Sequence, residues 1–292
     1  MHVEDRALDR GTRGRARGTV EARDRRPGEC PGPPRVRCHI GDSHPGRRTH
    51  MNCTTKIRMT IGLAGLAIGL GASTASGQVT YQWFGLGDGQ SFNDPANWTP
   101  NGMPGLLDEA KFDIAGSGTI MFATDPNTAI LSVENDTVQF DLGAHTYTAG
   151  KLVVGDRLTD VGMLTVNGGH LMTTTSNAQI GRRSPATGTL ILTGGATMTN
   201  LLDLEVGAEG NGFFQIDAGC SATSKNAFIG KIETATGDAL IRGTWNTQVS
   251  AIIGNLGSGS MTVEAGGTLN ATQDIKIGDN DFSSGSLTVD GA

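Results

Sequence analysis

The chain has 292 residues, of which 44 are glycine, and its formal net charge at pH 7 is −6. Residues 1–77 contain 14 of the 23 basic and 7 of the 29 acidic residues, so residues 78–292 contain 9 basic and 22 acidic residues, a net charge of −13. Such an acidic segment repels phosphate backbones, so we expect no nucleic-acid partner. Its one cysteine, Cys220, excludes an internal disulfide, and its two histidines disfavour a zinc site.

The N-terminal segment up to Gly77 is not expected to belong to the folded protein. Residues 1–50 contain 12 arginines, no lysine and no apolar periodicity, and we interpret them as disordered, spurious translation upstream of the true start. Residues 51–77 have the pattern of a signal peptide, with Lys56 and Arg58 before an apolar run at 61–70 and small residues after it. That run is shorter than the about 20 residues of a membrane span. We therefore predict a secreted or cell-surface protein with no membrane span after cleavage.

Residues 78–112 concentrate the aromatic side chains of an otherwise aromatic-poor chain. The repeats that follow this segment, described below, predict a solenoid, and the core of its first coil must be covered. We therefore predict that this segment is the N-terminal cap of the solenoid. The alternative is a carbohydrate-binding module at 79–112, in which Trp83 and Trp98 stack on sugar rings. The six aromatic residues are Tyr81, Trp83, Phe84, Phe92, Trp98 and Phe112.

Residues 152–292 repeat a short apolar alternation that ends in glycine, and residues 113–149 have the pattern of irregular early coils of the same solenoid, which we place at 113–292. Alternation within each segment predicts a strand, and a period of about 25 residues predicts one supersecondary unit per repeat. With three short strands per repeat, the sequence predicts an all-β fold, a three-sided parallel β-helix of about 25 residues per coil. The closing glycines, spaced 26, 26, 23, 24 and 24 residues apart, are Gly155, Gly181, Gly207, Gly230, Gly254 and Gly278.

Stacking of these repeats predicts columns of equivalent side chains. One buried column should contain Ile180, Val206, Ile229, Ile253 and Ile277, and another Leu190, Phe214, Ala239 and Met261. A polar column at the corner before the third strand, Asn177, Asp203, Asn226 and Asp274, predicts a ladder of hydrogen bonds between coils. We expect the acidic pair Asp203 and Glu205 to lie on a solvated face.

The segment before the coils contains a pattern that resembles a known group of proteins. Its pattern includes Trp83, Gly87-Asp88, Phe92-x-Asp94-x-x-Asn97-Trp98 and Pro104-Gly105-x-x-Asp108-x-Ala110-x-Phe112, between a signal peptide and G-x-L-x-V-x-x-G-G coils. It resembles secreted β-solenoid surface proteins of planctomycete-type bacteria, which are similar to autotransporter passengers and to repeat proteins with C-terminal sorting signals. The resemblance covers about residues 51–292 and implies architecture more than activity. It also leads us to expect that the chain is a fragment of a longer protein.

Parallel β-helices also host polysaccharide lyases and glycosidases, and catalytic groups would lie at outward positions of the coils. Arg242 is expected between Asp217 and Glu264 on neighbouring coils. A lyase needs a base beside carboxylates, and this column is the best candidate for one; the alternative is a surface ion-pair ladder.

Asp279 and Asp281 follow the last repeat glycine and are a candidate for calcium binding; the alternative is a solvated loop. No other cofactor is predicted. The function that we expect is an exported structural or adhesive β-solenoid without catalytic activity, with extracellular glycans or neighbouring cell-surface proteins as partners. The alternatives are a carbohydrate-active enzyme on the same coil, or the carbohydrate-binding module named above.

Overall fold

The computed structural model describes residues 77–291. The predicted upstream segment and all but the last residue of the predicted signal peptide lie outside this range. One short 3₁₀ helix covers Pro95–Asn97. The strands are β1 (Thr80–Trp83), β2 (Trp98–Thr99), β3 (Glu109–Phe112), β4 (Ser117–Met121), β5 (Asn127–Val133), β6 (Thr137–Val154), β7 (Val161–Thr173), β8 (Ala178–Ile180), β9 (Thr187–Thr193), β10 (Thr197–Asn200), β11 (Leu204–Val206), β12 (Asn211–Ile216), β13 (Ser221–Ser224), β14 (Ala227–Ile229), β15 (Thr236–Ile241), β16 (Thr244–Thr247), β17 (Ala251–Ile253), β18 (Ser258–Val263), β19 (Thr268–Ala271), β20 (Ile275–Ile277) and β21 (Ser284–Val289).

All strands except β2 form three stacks, which we call faces 1, 2 and 3, and within a stack each strand pairs in parallel with its equivalent in the next coil. Face 1 contains β4, β9, β12, β15, β18 and β21 with the first parts of β6 and β7. Face 2 contains the later parts of β6 and β7 with β10, β13, β16 and β19. Face 3 contains β1, β3, β5, the end of β6, β8, β11, β14, β17 and β20. The predicted parallel β-solenoid is therefore confirmed.

The predicted inward columns form in register. Ile180, Val206, Ile229, Ile253 and Ile277 are successive partners on face 3, and the first four are fully buried. Ile277 is 48% exposed because it lies in the last coil that the structure describes. The second column is likewise continuous on face 1, from Leu190 to Met261. Each buried aliphatic side chain contributes about 1.5–3 kcal/mol, so the core grows by a similar increment with every coil.

Two columns of glycine close the corner between faces 3 and 1. Gly181, at the end of the third strand, has φ +67°, a conformation that side chains with a Cβ rarely adopt. Gly188, at the start of the next strand, has an ordinary φ, but a Cβ there would lie 2.1 Å from the carbonyl oxygen of Val154 in the preceding coil. Glycine is therefore required at the first position by its torsion and at the second by close backbone contact.

The aromatic segment contributes strands to the solenoid as well as core side chains. β1 pairs in parallel with β3, and β3 with β5, so both continue face 3. Within the described strands only β2 runs antiparallel, and it pairs with β1. Most of the aromatic rings point inward, but Phe84 is 42% exposed, so it is not part of the buried cluster.

Candidate functional site

The three residues of the predicted catalytic column lie together on face 1. Arg242 donates from Nε to Glu264 Oε2 at 2.7 Å, and its Nη1 lies 3.5 Å from Asp217 Oδ1. The hydrogen bond to Glu264 raises the pKa of Arg242 and lowers that of Glu264. The guanidinium is therefore held protonated between two carboxylates, the opposite of what a proton-abstracting base requires.

Trp83 and Trp98 lie in the interior. Their exposed fractions are 6% and 2%, and their rings meet edge to face with centroids 4.9 Å apart. Trp98 Nε1 donates to the carbonyl oxygen of Phe92 at 2.9 Å, which gives the buried indole its hydrogen-bond partner. A sugar platform needs an exposed ring face, and in this structure protein atoms occupy those faces.

The two acidic residues of the calcium candidate have different surroundings. Asp279 forms an ion pair with Lys276, 3.3 Å from Nζ to Oδ1, and Asp281 is exposed. Within residues 77–291, no group of three or more His, Cys, Asp or Glu side chains is placed to hold a metal ion.

The polar corner column forms the predicted ladder from Asn177 through Asp203 to Asn226, and the side chain of Asp274 makes no hydrogen bond with another described residue. Asn226 Nδ2 donates to Asp203 Oδ1 at 2.8 Å, and the backbone N–H of Ser250 donates to Asn226 Oδ1 at 3.2 Å. The expectation for Glu205 is wrong: its side chain is 1% exposed although it stands on the outer side of face 3. Its outward neighbour in the next coil is Phe228, and Lys231 Nζ lies 5.7 Å from the centroid of that ring. The carboxylate is thus buried among outward side chains.

Basic residues gather on this same face. Of the nine in residues 78–292, seven lie on face 3 or within three residues after one of its strands. Six of the seven, all but Lys276, form two groups with neighbouring carboxylates. The first cluster is Lys111, Asp113, Glu134 and Arg157, and the second cluster is Lys151, Asp156, Arg182, Arg183, Glu205 and Lys231.

Opposite charges are matched in the first cluster. Lys111 Nζ lies 3.1 Å from Asp113 Oδ2 and 3.0 Å from Glu134 Oε2, and Arg157 Nε lies 3.3 Å from the same Glu134 oxygen. That buried oxygen has ion-pair partners but no well-directed hydrogen bond. Burial raises the pKa of Glu134. Burial also opposes the charged form of Lys111, but the neighbouring carboxylates of Glu134 and Asp113 outweigh it and raise the pKa of Lys111.

The second cluster has an excess of positive charge. Arg182 donates through Nη1 alone to Asp156, at 2.9 Å from Oδ1, and Arg183 Nε lies 3.7 Å from that oxygen. Lys151 has no carboxylate within 4.0 Å among residues 77–291. Burial, together with the charge of Arg182, lowers the pKa of Lys151. Its ammonium is therefore a partly buried cation without a counter-ion among the described residues.

Glu205 is the fixed anion of the second cluster. It accepts hydrogen bonds from Asn177 Nδ2 at 2.6 Å and Gln179 Nε2 at 2.9 Å, and it forms an ion pair with Lys231. The two hydrogen bonds and the ion pair compensate for the burial of this carboxylate, which would be unfavourable without partners. They also link side chains of three coils.

We expect opposite effects from removing the two lysines. Lys111→Met should lower the free energy of unfolding by about 1–2 kcal/mol, because Glu134 and Asp113 keep only Arg157 as a partner. Lys151→Met should leave stability unchanged or raise it, because its pKa is lowered by folding. Stability from Lys111 is present below its ordinary pKa of 10.5 and is lost as the pH rises through its raised folded value. The penalty from Lys151 instead disappears as the pH rises from its lowered folded value to 10.5.

Chemical denaturation of both variants at pH 7 and pH 10 measures these effects. Equal destabilisation by the two substitutions at pH 7 would contradict the assignment of one lysine as paired and the other as unpaired.

Two clefts lie outside the two clusters. One of about 560 Å³ includes Asp141, His145 and Asn167, and one of about 490 Å³ is lined by Leu106, Leu107 and several threonines. In the first, Asp141 accepts a hydrogen bond from Asn167 and His145 is bonded to Asp125, which lies outside the cleft lining. Neither cleft combines a cluster of cations with a carboxylate, as the second cluster does.

The fold defines the class of this protein as a parallel β-solenoid with three strands per coil. No protein-family model, curated protein or solved structure matches the chain. Among residues 77–291 there is no helix of the length and apolar character needed to cross a membrane.

Proposed function

We propose that this protein is an exported structural or adhesive β-solenoid of the bacterial cell surface, without catalytic activity. The observation that supports this most directly is that outward charged groups are bonded from coil to coil, as Arg242 is to Asp217 and Glu264. Groups held in this way stiffen a stack and are not free to move protons. Its partners are extracellular glycans or neighbouring surface proteins, bound through a repeated face that multiplies weak contacts.

The resemblance to planctomycete-type surface proteins and the signal-peptide pattern at 51–77 support the location. Expression of the full chain in a bacterium of that type should give protein that begins near Gly77 or Gln78 and that external protease removes from intact cells. Retention in the cytoplasm, or export with residues from the Arg-rich segment at 1–50 still attached, would contradict the proposal.

A polysaccharide lyase is the competing function, and Arg242 tests it. We expect the wild-type protein to form no unsaturated uronate products, which absorb in the ultraviolet, from acidic polysaccharides. We also expect Arg242→Ala to keep the melting temperature within about 2 °C of the wild type, because exposed ion pairs contribute little to stability. Product formed by the wild type and lost in the variant would assign catalysis to this column.

A further inference from the structure

We propose that the second cluster is a binding site for the carboxylate or sulfate groups of an acidic extracellular polysaccharide. This inference rests on the proposed extracellular function and specifies its ligand. The first reason is the distribution of charge. A segment of net charge −13 places seven of its nine basic residues, but only eight of its 22 acidic residues, on or beside one face, and on that face the second cluster contains four cations and two carboxylates.

The second reason is that three of these cations have donors to spare. Lys151 has no carboxylate partner among the described residues, Arg182 uses only Nη1 for Asp156, and the Arg183 side chain is 53% exposed. An ammonium and two guanidinium groups on adjacent coils present N–H donors to one anionic group, and such charge-assisted hydrogen bonds are stronger than neutral ones. An arginine fork also matches the paired oxygens of a carboxylate or sulfate.

The third reason is that the acidic members of the cluster are already neutralised. Glu205 is buried beneath Asn177, Gln179 and Lys231, and Asp156 is held by Arg182. The two carboxylates offset two of the four cationic charges, which leaves the second cluster with a net charge of +2 for an incoming anion. The same bonds fix the side chains in place, so less conformational entropy is lost on binding.

A polysaccharide fits better than a nucleic acid. Duplex DNA carries one charge per about 1.7 Å, and such a closely charged polymer would meet the acidic remainder of the solenoid on either side of a small cationic patch. A glycan carries fewer charges, separated by neutral sugar, so one anionic group reaches the patch while hydroxyl groups contact its polar surroundings.

The test expresses the full chain and measures binding of the exported protein to polygalacturonate, dextran sulfate and uncharged dextran. We expect the wild type to bind one or both anionic polymers and not dextran, and the preferred polymer to identify carboxylate or sulfate as the ligand. Lys151→Met/Arg182→Gln should weaken that binding at least about tenfold, the effect of losing one or more charge-assisted hydrogen bonds. Lys151→Arg, which keeps the charge, should retain it.

Arg242→Gln is the matched control, because it removes one guanidinium from face 1 and should change affinity less than about twofold. Melting temperatures of all variants check that they fold. Equal weakening by the control, no effect of the double substitution, or tighter binding of duplex DNA than of either glycan through the same residues would overturn the inference. If the protein is exposed at the cell surface but binds neither anionic polymer, the inference alone is overturned. If the protein stays in the cytoplasm, the proposed function is overturned.

Discussion

Replacement of Gly188 by alanine is expected to lower the free energy of unfolding by about 3 kcal/mol or more. The new Cβ would lie 2.1 Å from the carbonyl oxygen of Val154 and 2.4 Å from the backbone nitrogen of Gly181. Both are backbone atoms of neighbouring strands, so no side chain can rotate away to relieve the overlap. The coils must separate locally, which breaks parallel hydrogen bonds on two faces.

Gly118→Ala is the matched control. Gly118 also lies in a strand of face 1, but a Cβ there meets no atom within 4 Å. Alanine at such a position restricts the unfolded chain and should stabilise the protein by about 0.4–1 kcal/mol. Denaturant unfolding followed by circular dichroism measures both variants, and a similar stability for the two would show that the corner between faces 3 and 1 tolerates a side chain.

The second large effect is expected from Trp245→Ala, which should cost about 3–5 kcal/mol. Trp245 is fully buried, its ring centroid lies 5.0 Å from that of Phe214 at an angle of 82°, and its Nε1 donates to Ser224 Oγ at 3.2 Å. Its partner in the preceding coil is Ala222, so the indole occupies the volume that this small residue leaves. Truncation removes the ring and leaves a cavity that a regular stack cannot close.

Trp245→Leu tests whether a smaller aliphatic side chain can fill this core position, because leucine occurs in the same column at Leu171 and Leu269. We expect it to cost about 1–3 kcal/mol, less than the alanine variant. Denaturation midpoints rank the three proteins, and a leucine variant as unstable as the alanine variant would mean that the hydrogen bond to Ser224 outweighs ring packing.

The inward columns of the solenoid could be predicted from sequence because one coil repeats the pattern of the last. The nearly constant spacing of the closing glycines places Val206 above Ile180 and Phe214 above Leu190, and burial of these side chains follows from alternation within each strand.

The start of face 3 could not be predicted in the same way. Gln82, Lys111 and Ser132 are register partners on successive coils. Along the chain, the first interval between them is longer than any interval between the closing glycines, and the second is shorter than any. The periodicity therefore does not extend to these residues, and only the hydrogen-bond register shows that they stack.

The second cluster could not be predicted from the sequence for a different reason. Sequence alternation places Glu205 on the outside of its strand, and an outward residue was expected to be solvated. Its burial depends on Phe228 and Lys231 from the next coil, which only the register brings over it. One signal was present: the residues directly after the strand-closing glycines include the charged side chains of Asp156, Arg182 and Lys231, with only Ala208 between them.

The one-sided placement of the basic residues gives the solenoid a transverse electric dipole. Face 3 and the residues just after its strands hold seven basic and eight acidic residues, whereas the rest of residues 78–292 holds two basic and fourteen acidic residues, among them Asp238 on face 1. Near an anionic matrix the molecule experiences a torque that rolls it about its long axis until face 3 meets the matrix. A layer of such molecules would then lie flat with a common orientation and turn its acidic side outward, so that it repels further anionic material.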